Sequence, residues 1–589
     1  MMKNLIKNIL ICGLVVSGLG SCKDKFLAIT PQGVYSETTL LNKKGIEGFL
    51  TGAYASLDGS RDASTLGFSG SYNWIWGSIL GGDAYKAGVS FTDQPDLNYV
   101  MQYATPTTNP QVLTRWNALY DGVGRANLVL QKLAAATDPD LTPEVRTQIE
   151  AEARFLRGFY HFEAKKTFGN VPFLDENVTD YKVPNTDASG KYIDIWPDIE
   201  KDLKFAYENL DEVKKGIGHA NKWAAGAFLG KAYLYQKKYA EAKAVFNEVI
   251  ANGKNPLGVK YALMPNFGDN FRLARQGNAE VILEVQNVVG DGATNNINGF
   301  FEMLLCYPNG IAGGTNSWFY RPSQNLVNAF RTGDNGLPLP DTYNNTDVTS
   351  HESIGDNEAF TPYQGPLDPR LDHTVGRRGI PFHDWGVIND VAFTAPPGES
   401  ITNGGPYAGK KHVFSKEEFN SGKAVRSSWY IASSLKYQIM RYADLLLMAA
   451  ECEIEAGSLE KAREYINLVR ARAANSPIKS ADGTKNAANY LVKPYDAFAS
   501  QEAARTAVRF ERRLELGMEG HRFFDLVRWG IADKVINQEY LPKESQRRVS
   551  LFAGVRFTPN KSEYQPIPDY AITQSMVGGV PTLKQNPGY

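Results

Sequence analysis

The stretch NKWAAGAFLGKAYLYQKKYAEAKAVFNEVIANG, residues 221–253, decides the architecture. Its apolar residues recur at i, i+3, i+4 and i+7, the period of a helix with one buried stripe. QKKY interrupts the pattern, so the run divides into two short helices joined by a tight turn. A second run, RYADLLLMAAECEIEAGSLEKAREYINLVRARA at 441–473, repeats the first at a constant offset of 220, with AGSL as its turn. Ala242 aligns with Ala462, Phe246 with Ile466 and Val249 with Val469. Gly230, Ala232, Ala449 and Ala450 are small enough to let paired helices come close.

This is the chemistry of a tetratricopeptide hairpin, a unit of about 34 residues. Two more helical pairs are expected. RWNALYDGVGRANLVLQKLAAA (115–136) precedes VRTQIEAEARFLRGFYHFEAKKTFG (145–169), and AARTAVRFERRLELGMEGHRFFDLVRWG (503–530) breaks near Gly517 and Gly520. Between the pairs lie long inserts, 60–110 and 254–435, rich in Gly, Pro, Asn, Asp and aromatics. Short apolar runs in them, such as EVILEVQ at 280–286, read as strands. Inserts of this size in a helical scaffold carry binding function. The expected fold is mainly α, a tetratricopeptide-like hairpin scaffold with large irregular, short-strand inserts. The Pro- and Gly-marked tail is expected to wrap the surface.

The N-terminus reads as an export signal. Lys3 and Lys7 precede an apolar run, Ile9 to Leu19, too short to span a bilayer. Leu-Gly-Ser-Cys at 19–22 resembles a bacterial lipobox, which would make residues 1–21 a lipoprotein signal peptide and Cys22 the acylated first residue of the mature chain. Two or three acyl chains anchor firmly where one binds marginally. Lys23-Asp24 resembles a surface-export signal. No later segment carries the ~18 consecutive apolar residues of a spanning helix. The formal net charge of −1 falls to near −3 once Lys3 and Lys7 leave, which argues against a nucleic-acid partner. Only Cys306 and Cys452 remain as thiols, so no disulfide framework is expected.

Taken in order, RWNALYDGVGRANLVL, AEARFLRGFYHFEAKKTFGNVP, YQIMRYADLLLMAAECEIEAG, FERRLELGMEGHRFFDLVRWG, QPIP and the terminal QNPGY resemble the SusD/RagB family across essentially the whole mature chain. The resemblance implies one SusD-like domain over 22–589, with an N-terminal part to 253, a mostly inserted part at 254–435 and C-terminal pairs with the tail from 436. It implies a lipid-anchored protein of the outer membrane facing the cell surface, which captures a nutrient glycan and passes it to a TonB-dependent, SusC-like transporter. Some members bind peptides instead. In the family the helical side faces the transporter and the inserts bind ligand.

Sugars offer flat C–H faces ringed by hydroxyls, so aromatic platforms beside Asp, Asn or Arg are the expected binding chemistry. SYNWIWGSILGGDAYKAG (71–88) has both: an extended chain would set Tyr72, Trp74 and Trp76 on one side, with Asn73 and Asp83 nearby. TNSWFYRP (315–322) places Trp318 and Tyr320 on a shared side after Gly313-Gly314, and Trp318 is the principal candidate; its position resembles that of a platform tryptophan in glycan-binding members. RRGIPFHDWG (377–386) adds Arg378 and Trp385. Each aromatic could equally be core.

No enzyme signature is found. There is no His-Glu-x-x-His, no Cys-x-x-Cys and no Gly-x-Ser-x-Gly; GFSGS at 67–71 has the wrong spacing. Gly404 to Lys411 mimics a phosphate loop, but Lys411 stands where Ser or Thr would hold magnesium. Of the seven histidines, His373 and His383 are the nearest pair and read as loop residues. GDNGLPLPDTYNNTD (333–347) offers oxygen ligands without EF-hand spacing, so the metal question stays open and no cofactor is expected. A surface glycoside hydrolase, with a carboxylate pair among 64 acidic residues, is the reading from a different class. The alternating charges from Glu511 to Asp525 read instead as ion pairs that lock the last helical pair onto the insert.

Overall fold

The computed structural model describes residues 40–589, apart from 60–67, 215, 309–310, 312–317, 356–357, 390–398 and 428–429, and gives backbone alone for 399–401. The leader, Cys22 and the Gly313-Gly314 step lie outside the described residues. The scaffold helices are α1 (Lys43–Ala55), α2 (Pro110–Ala135), α3 (Pro143–Phe168), α4 (Trp196–Asn209), α5 (Lys222–Tyr235), α6 (Tyr239–Asn252), α7 (Tyr442–Ala456), α8 (Leu459–Ala474), α9 (Gln501–Leu516) and α10 (Arg522–Arg528).

The two hairpins form as the repeat predicts. Asn221 caps α5 by accepting the Ala224 N–H at 2.9 Å, and Ser458 caps α8 by accepting the Lys461 N–H at 3.3 Å. The aligned triads, Ala242, Phe246, Val249 and Ala462, Ile466, Val469, are all fully buried. Gly230 lets α5 and α6 touch, since a Cβ there would sit 2.5 Å from the Phe246 ring. Burying a side chain such as Phe246 is worth about 2–3 kcal/mol.

The hairpins are far apart in sequence but stacked in space. Lys243 donates to the Ala456 carbonyl at 2.6 Å, and Asn247 bonds both Glu453 and Tyr465. Helices α2 to α8 thus pack in chain order as one continuous array, with the insert looped out. Pro110 and Pro143 open α2 and α3 behind Asn109 and Thr142 caps. Helix α4, absent from the helical pairs read in the sequence, buries Ile199, Leu203 and Ala206 and is clamped to α3 by Arg157, whose guanidinium makes two bonds to Asp202 at 2.7 and 2.8 Å. The tail docks on the end of α3, where Asn586 donates to the carbonyls of Phe168 and Gln565.

Among the described residues, five two-stranded antiparallel ladders complete the fold: β1 (Ala84–Ala87) with β3 (Phe319–Pro322), β2 (Val281–Val285) with β8 (Tyr437–Arg441), β4 (Val375–Gly376) with β5 (Ala408–Gly409), β6 (Ala424–Ser427) with β7 (Tyr430–Ser433), and β9 (Met576–Val577) with β10 (Val580–Pro581). The expected strand at 280–286 is β2; its pairing with β8, Val281 opposite Arg441 and Val285 opposite Tyr437, ties the two ends of the long insert together.

Beneath these ladders lies a buried network of charge. Glu515 accepts from Arg370, Arg441 and Arg472, while Glu519 accepts from Arg441 and Lys411. Glu280 joins Arg441 and Arg472, Glu511 joins Arg370 and Arg470, and Asp368 joins Arg370. Arg370, Arg441, Arg470, Arg472 and Lys411 balance Glu280, Glu511, Glu515, Glu519 and Asp368, so the network is neutral. Burial alone would raise the Glu519 pKa, but Arg441 and Lys411 hold it down at about 2. Arg512 links Asp444 to Asp525, and Arg513 reaches Asp83. The charged run of the last helical pair is structural, joining α7, α8 and α9 to the insert.

Candidate functional site

The first candidate stretch is not extended. Asn73 takes a left-handed φ of 55°, and Trp74–Ile79 then coil into a single π-helical turn. Tyr72, Trp74 and Trp76 therefore do not line one solvent-facing side; all three are buried. The alternation argument fails because two glycines, Gly77 and Gly520, allow this turn to press against the bend between α9 and α10, where burying indoles is favourable. Trp76 donates its indole N–H to the Phe68 carbonyl at 3.0 Å. Tyr72 bonds His412 at 2.7 Å and packs on Phe300, Tyr320 and Tyr437. Burial takes the His412 pKa down to about 3.

The polar candidates of this stretch are also occupied. Asn73 donates to Ser71 and Glu163 and accepts from Arg115 at 2.8 Å. Asp83 accepts from Arg513 at 3.0 Å; its pKa is nonetheless raised, burial outweighing the pull of that guanidinium. Tyr320 is buried, donating to Ser78 at 2.8 Å and resting on Trp74 at 5.3 Å between ring centres. Arg378 stands in a different place, where it donates to the carbonyls of Ile354, Gly355 and Glu358 and organises that loop. Trp385 donates its indole N–H to the Phe414 carbonyl. The structure thus unites Tyr72, Asn73, Trp74 and Tyr320 as the support of a site rather than its surface.

Beside these residues runs the β1–β3 ladder, all of whose residues are buried. Trp318 lies at its edge, 8% exposed, and its indole N–H has no partner among the described residues. Trp318 and Tyr320 take left-handed φ of 54° and 57°, and Ala87 opposite takes 62°. Bulky residues in that region carry strain, and such strain gathers at ligand-holding sites. Gly88 donates to the Trp318 carbonyl at 3.1 Å, so the loop 88–95 begins directly against the tryptophan.

That loop carries the solvent-facing apolar groups. Phe91 is 41% exposed, Val89 is similarly open, and so is Tyr99 in the short helix Asp96–Met101 that follows. Lys86 fixes the loop from beneath, donating to the carbonyls of Phe91 at 3.4 Å and Asp93 at 2.5 Å, while its ammonium lies 5.6 Å from the Phe319 ring centre. Burial lowers the Lys86 pKa to about 8, with Asp93 opposing. Asn98 adds a bond to the Phe91 carbonyl at 2.7 Å. Sequence reasoning missed Phe91; the available signal was a lone aromatic flanked by Ser90 and Thr92 in a Gly- and Pro-bounded loop.

Among the described residues no group of three or more His, Cys, Asp or Glu is placed to hold a metal ion, and no helix is long and apolar enough to cross a membrane. The run resembling a phosphate loop has its Lys411 ammonium committed to Glu519 at 2.6 Å. In the 333–347 segment, Asp347 is paired with Arg547.

The family model described as the SusD family matches residues 279–589, just over half of the chain. The chain belongs to the SusD family. A second family model, described as "Starch-binding associating with outer membrane", matches residues 80–234. SusD-like protein P25 of Formosa agariphila is 25% identical over 555 residues, covering 91% of this chain and 92% of its own. A SusD superfamily protein of Bacteroides vulgatus has the same fold, with a TM-score of 0.66 at 21% identity over 93% of this chain and 99% of that one. So does surface glycan-binding protein A of Bacteroides thetaiotaomicron, solved in complex with laminarihexaose, with a TM-score of 0.63 at 21% identity over 92% and 99% of the two chains. The SusD-like fold, mainly α with short ladders, is the one the helical period and the family resemblance both led to.

Proposed function

We propose that this SusD-family protein binds an oligosaccharide on the face built by the β1–β3 ladder and the loop 88–95. Trp318 and Phe91 are its aromatic contacts, with Tyr72, Trp74 and Tyr320 supporting them from below. The protein is a surface lipoprotein held in the outer membrane through Cys22. It hands its ligand to a SusC-like, TonB-dependent transporter and performs no chemistry itself. The observation that carries this reading is the family match, since one matching model is described as starch-binding and associated with the outer membrane. The strained backbone at Trp318 and Tyr320 and the exposed Phe91 support the placement.

The test is affinity electrophoresis of the purified protein through gels containing a panel of neutral, carboxylated and sulfated polysaccharides, laminarin first, with Trp318→Ala beside wild type. Retardation of wild type by one glycan, and its loss in the variant, is expected. Equal retardation of both would keep glycan capture and move the site. Retardation by no glycan would overturn the reading in favour of a peptide ligand, and release of reducing ends would make the protein a hydrolase.

A further inference from the structure

Arg321 differs from the arginines of the buried charge network. Arg370, Arg441, Arg470, Arg472, Arg512 and Arg513 each meet a carboxylate. Arg321, 2% exposed on β3, meets none: its Nε donates to the Tyr407 carbonyl at 2.8 Å, and both terminal nitrogens have no partner. Among the described residues it is the one arginine with both of those nitrogens buried and unbonded. A desolvated guanidinium without an anion is a costly arrangement that calls for an occupant.

The surroundings are shaped for one. Gly404 lies against Arg321, where a Cβ would come 2.7 Å from its Cδ, and Gly405, at a φ of 68°, lies against Arg548, where a Cβ would come 2.8 Å from a terminal nitrogen. A Cβ at either glycine would press on one of the two arginines, so only glycine fits beside them. Asn403, buried next to them in the chain, has an amide nitrogen with no partner, and the Arg548 Nε is also unbonded. Arg548 gives its terminal nitrogens to Glu352, whose side chain is 32% exposed. Burial, with the neighbouring Arg548 cation adding to it and Glu352 opposing, brings the Arg321 pKa down to about 9.

We propose that Arg321, with Asn403 and Arg548, forms an oxyanion site that takes a carboxylate or sulfate ester carried by the glycan. A planar fork with both terminal nitrogens free matches such a group in bidentate fashion. The site rests on the glycan reading for its source, because β3 also carries the aromatic edge at Trp318. A free inorganic anion would satisfy the same donors.

Thermal unfolding of the full-length protein separates these cases. Sodium glucuronate and sodium sulfate are titrated against glucose and against sodium chloride of equal ionic strength, in wild type, Arg321→Met and Asn403→Ala. Because sulfate stabilises folded proteins generally, the difference between variants is the readout. The expected result is a Tm rise with glucuronate in wild type, absent in Arg321→Met and reduced in Asn403→Ala, with Arg321→Met melting above wild type when no anion is added. Sulfate acting without glucuronate overturns the carboxylate source; glucose 6-sulfate, added at the same concentration, then decides, and its failure to act overturns the glycan-borne source and leaves an inorganic-anion site. Equal response of wild type and both variants overturns the site; should Arg321→Met fail to fold, the wild type and Asn403→Ala still decide. Laminarin retardation of the same wild-type preparation is scored separately, so failure of glycan capture and failure of the anion site are told apart.

Discussion

Gly77 and Gly520 meet backbone to backbone: a Cβ on Gly77 would lie 1.7 Å from the Gly520 carbonyl oxygen. This contact seats the buried Trp74–Ile79 turn on the bend between α9 and α10, and so sets the height of the β1–β3 ladder above the scaffold. Gly77→Ala is expected to cost about 3 kcal/mol by forcing the two segments apart. Gly48→Ala, in α1 with open space around it, is expected to be neutral or stabilising by about 0.5–1 kcal/mol. Urea denaturation midpoints of the two variants, compared with wild type, check both.

Glu515 holds three arginines at once, Arg370, Arg441 and Arg472. Glu515→Ala leaves all three with diminished compensation and is expected to cost about 3–5 kcal/mol. Glu460→Ala, which removes an exposed pair with Arg463, leaves the midpoint in place. If the two variants unfolded at the same urea concentration, the network would not be a stabilising feature.

The same network predicts acid sensitivity. Glu519 and Glu163 each have a folded pKa of about 2, below the ordinary 4.5, because Arg441 with Lys411 and Lys166 with Arg115 overcome the effect of burial. Depressed carboxyl pKa values contribute stability that is complete above the unfolded value and is lost as pH falls toward the folded one. Stability should therefore hold from neutral pH to about 5 and fall steeply between about 4.5 and 2. Tm measured at half-unit steps gives the slope, and Glu519→Gln should make it shallower.

Phe91→Ala should weaken glycan retardation about tenfold while leaving the Tm unchanged, since the ring is half in solvent. Lys86→Met should weaken it too, by releasing the two carbonyls that hold the loop. Equal retardation of wild type and Phe91→Ala would remove the loop 88–95 from the ligand face.

The helical scaffold was legible because a buried stripe leaves a period, and the offset of 220 exposed the second hairpin. Helix α4 was missed although its period was present: WPDIEKDLKFAYEN buries Ile199, Leu203 and Ala206 at i, i+4 and i+7, and it is the polar clamp from Arg157 to Asp202 that leaves no trace in a hydrophobic pattern. The ligand face was half legible. Aromatic richness pointed to two segments, 71–88 and 315–322, whose described parts the fold brings together, but composition does not tell an indole that supports from one that touches solvent. That distinction hangs on Gly77 and Gly520, residues 443 positions apart whose contact exists only in the fold. Arg378, chosen for its charge, instead serves three backbone carbonyls.

The stacking of α6 on α7 has a consequence for how the chain reaches this state. Residues 253–441 are made between the two helices, and closing so long a loop costs on the order of 5 kcal/mol before any contact repays it. A chain growing from its N-terminus completes α2 to α6 early. Lys243 and Asn247 then wait for Ala456, Glu453 and Tyr465, which are synthesised about two hundred residues later. Folding is therefore late and slow, and the half-built array is the species that a holdase must shelter from aggregation.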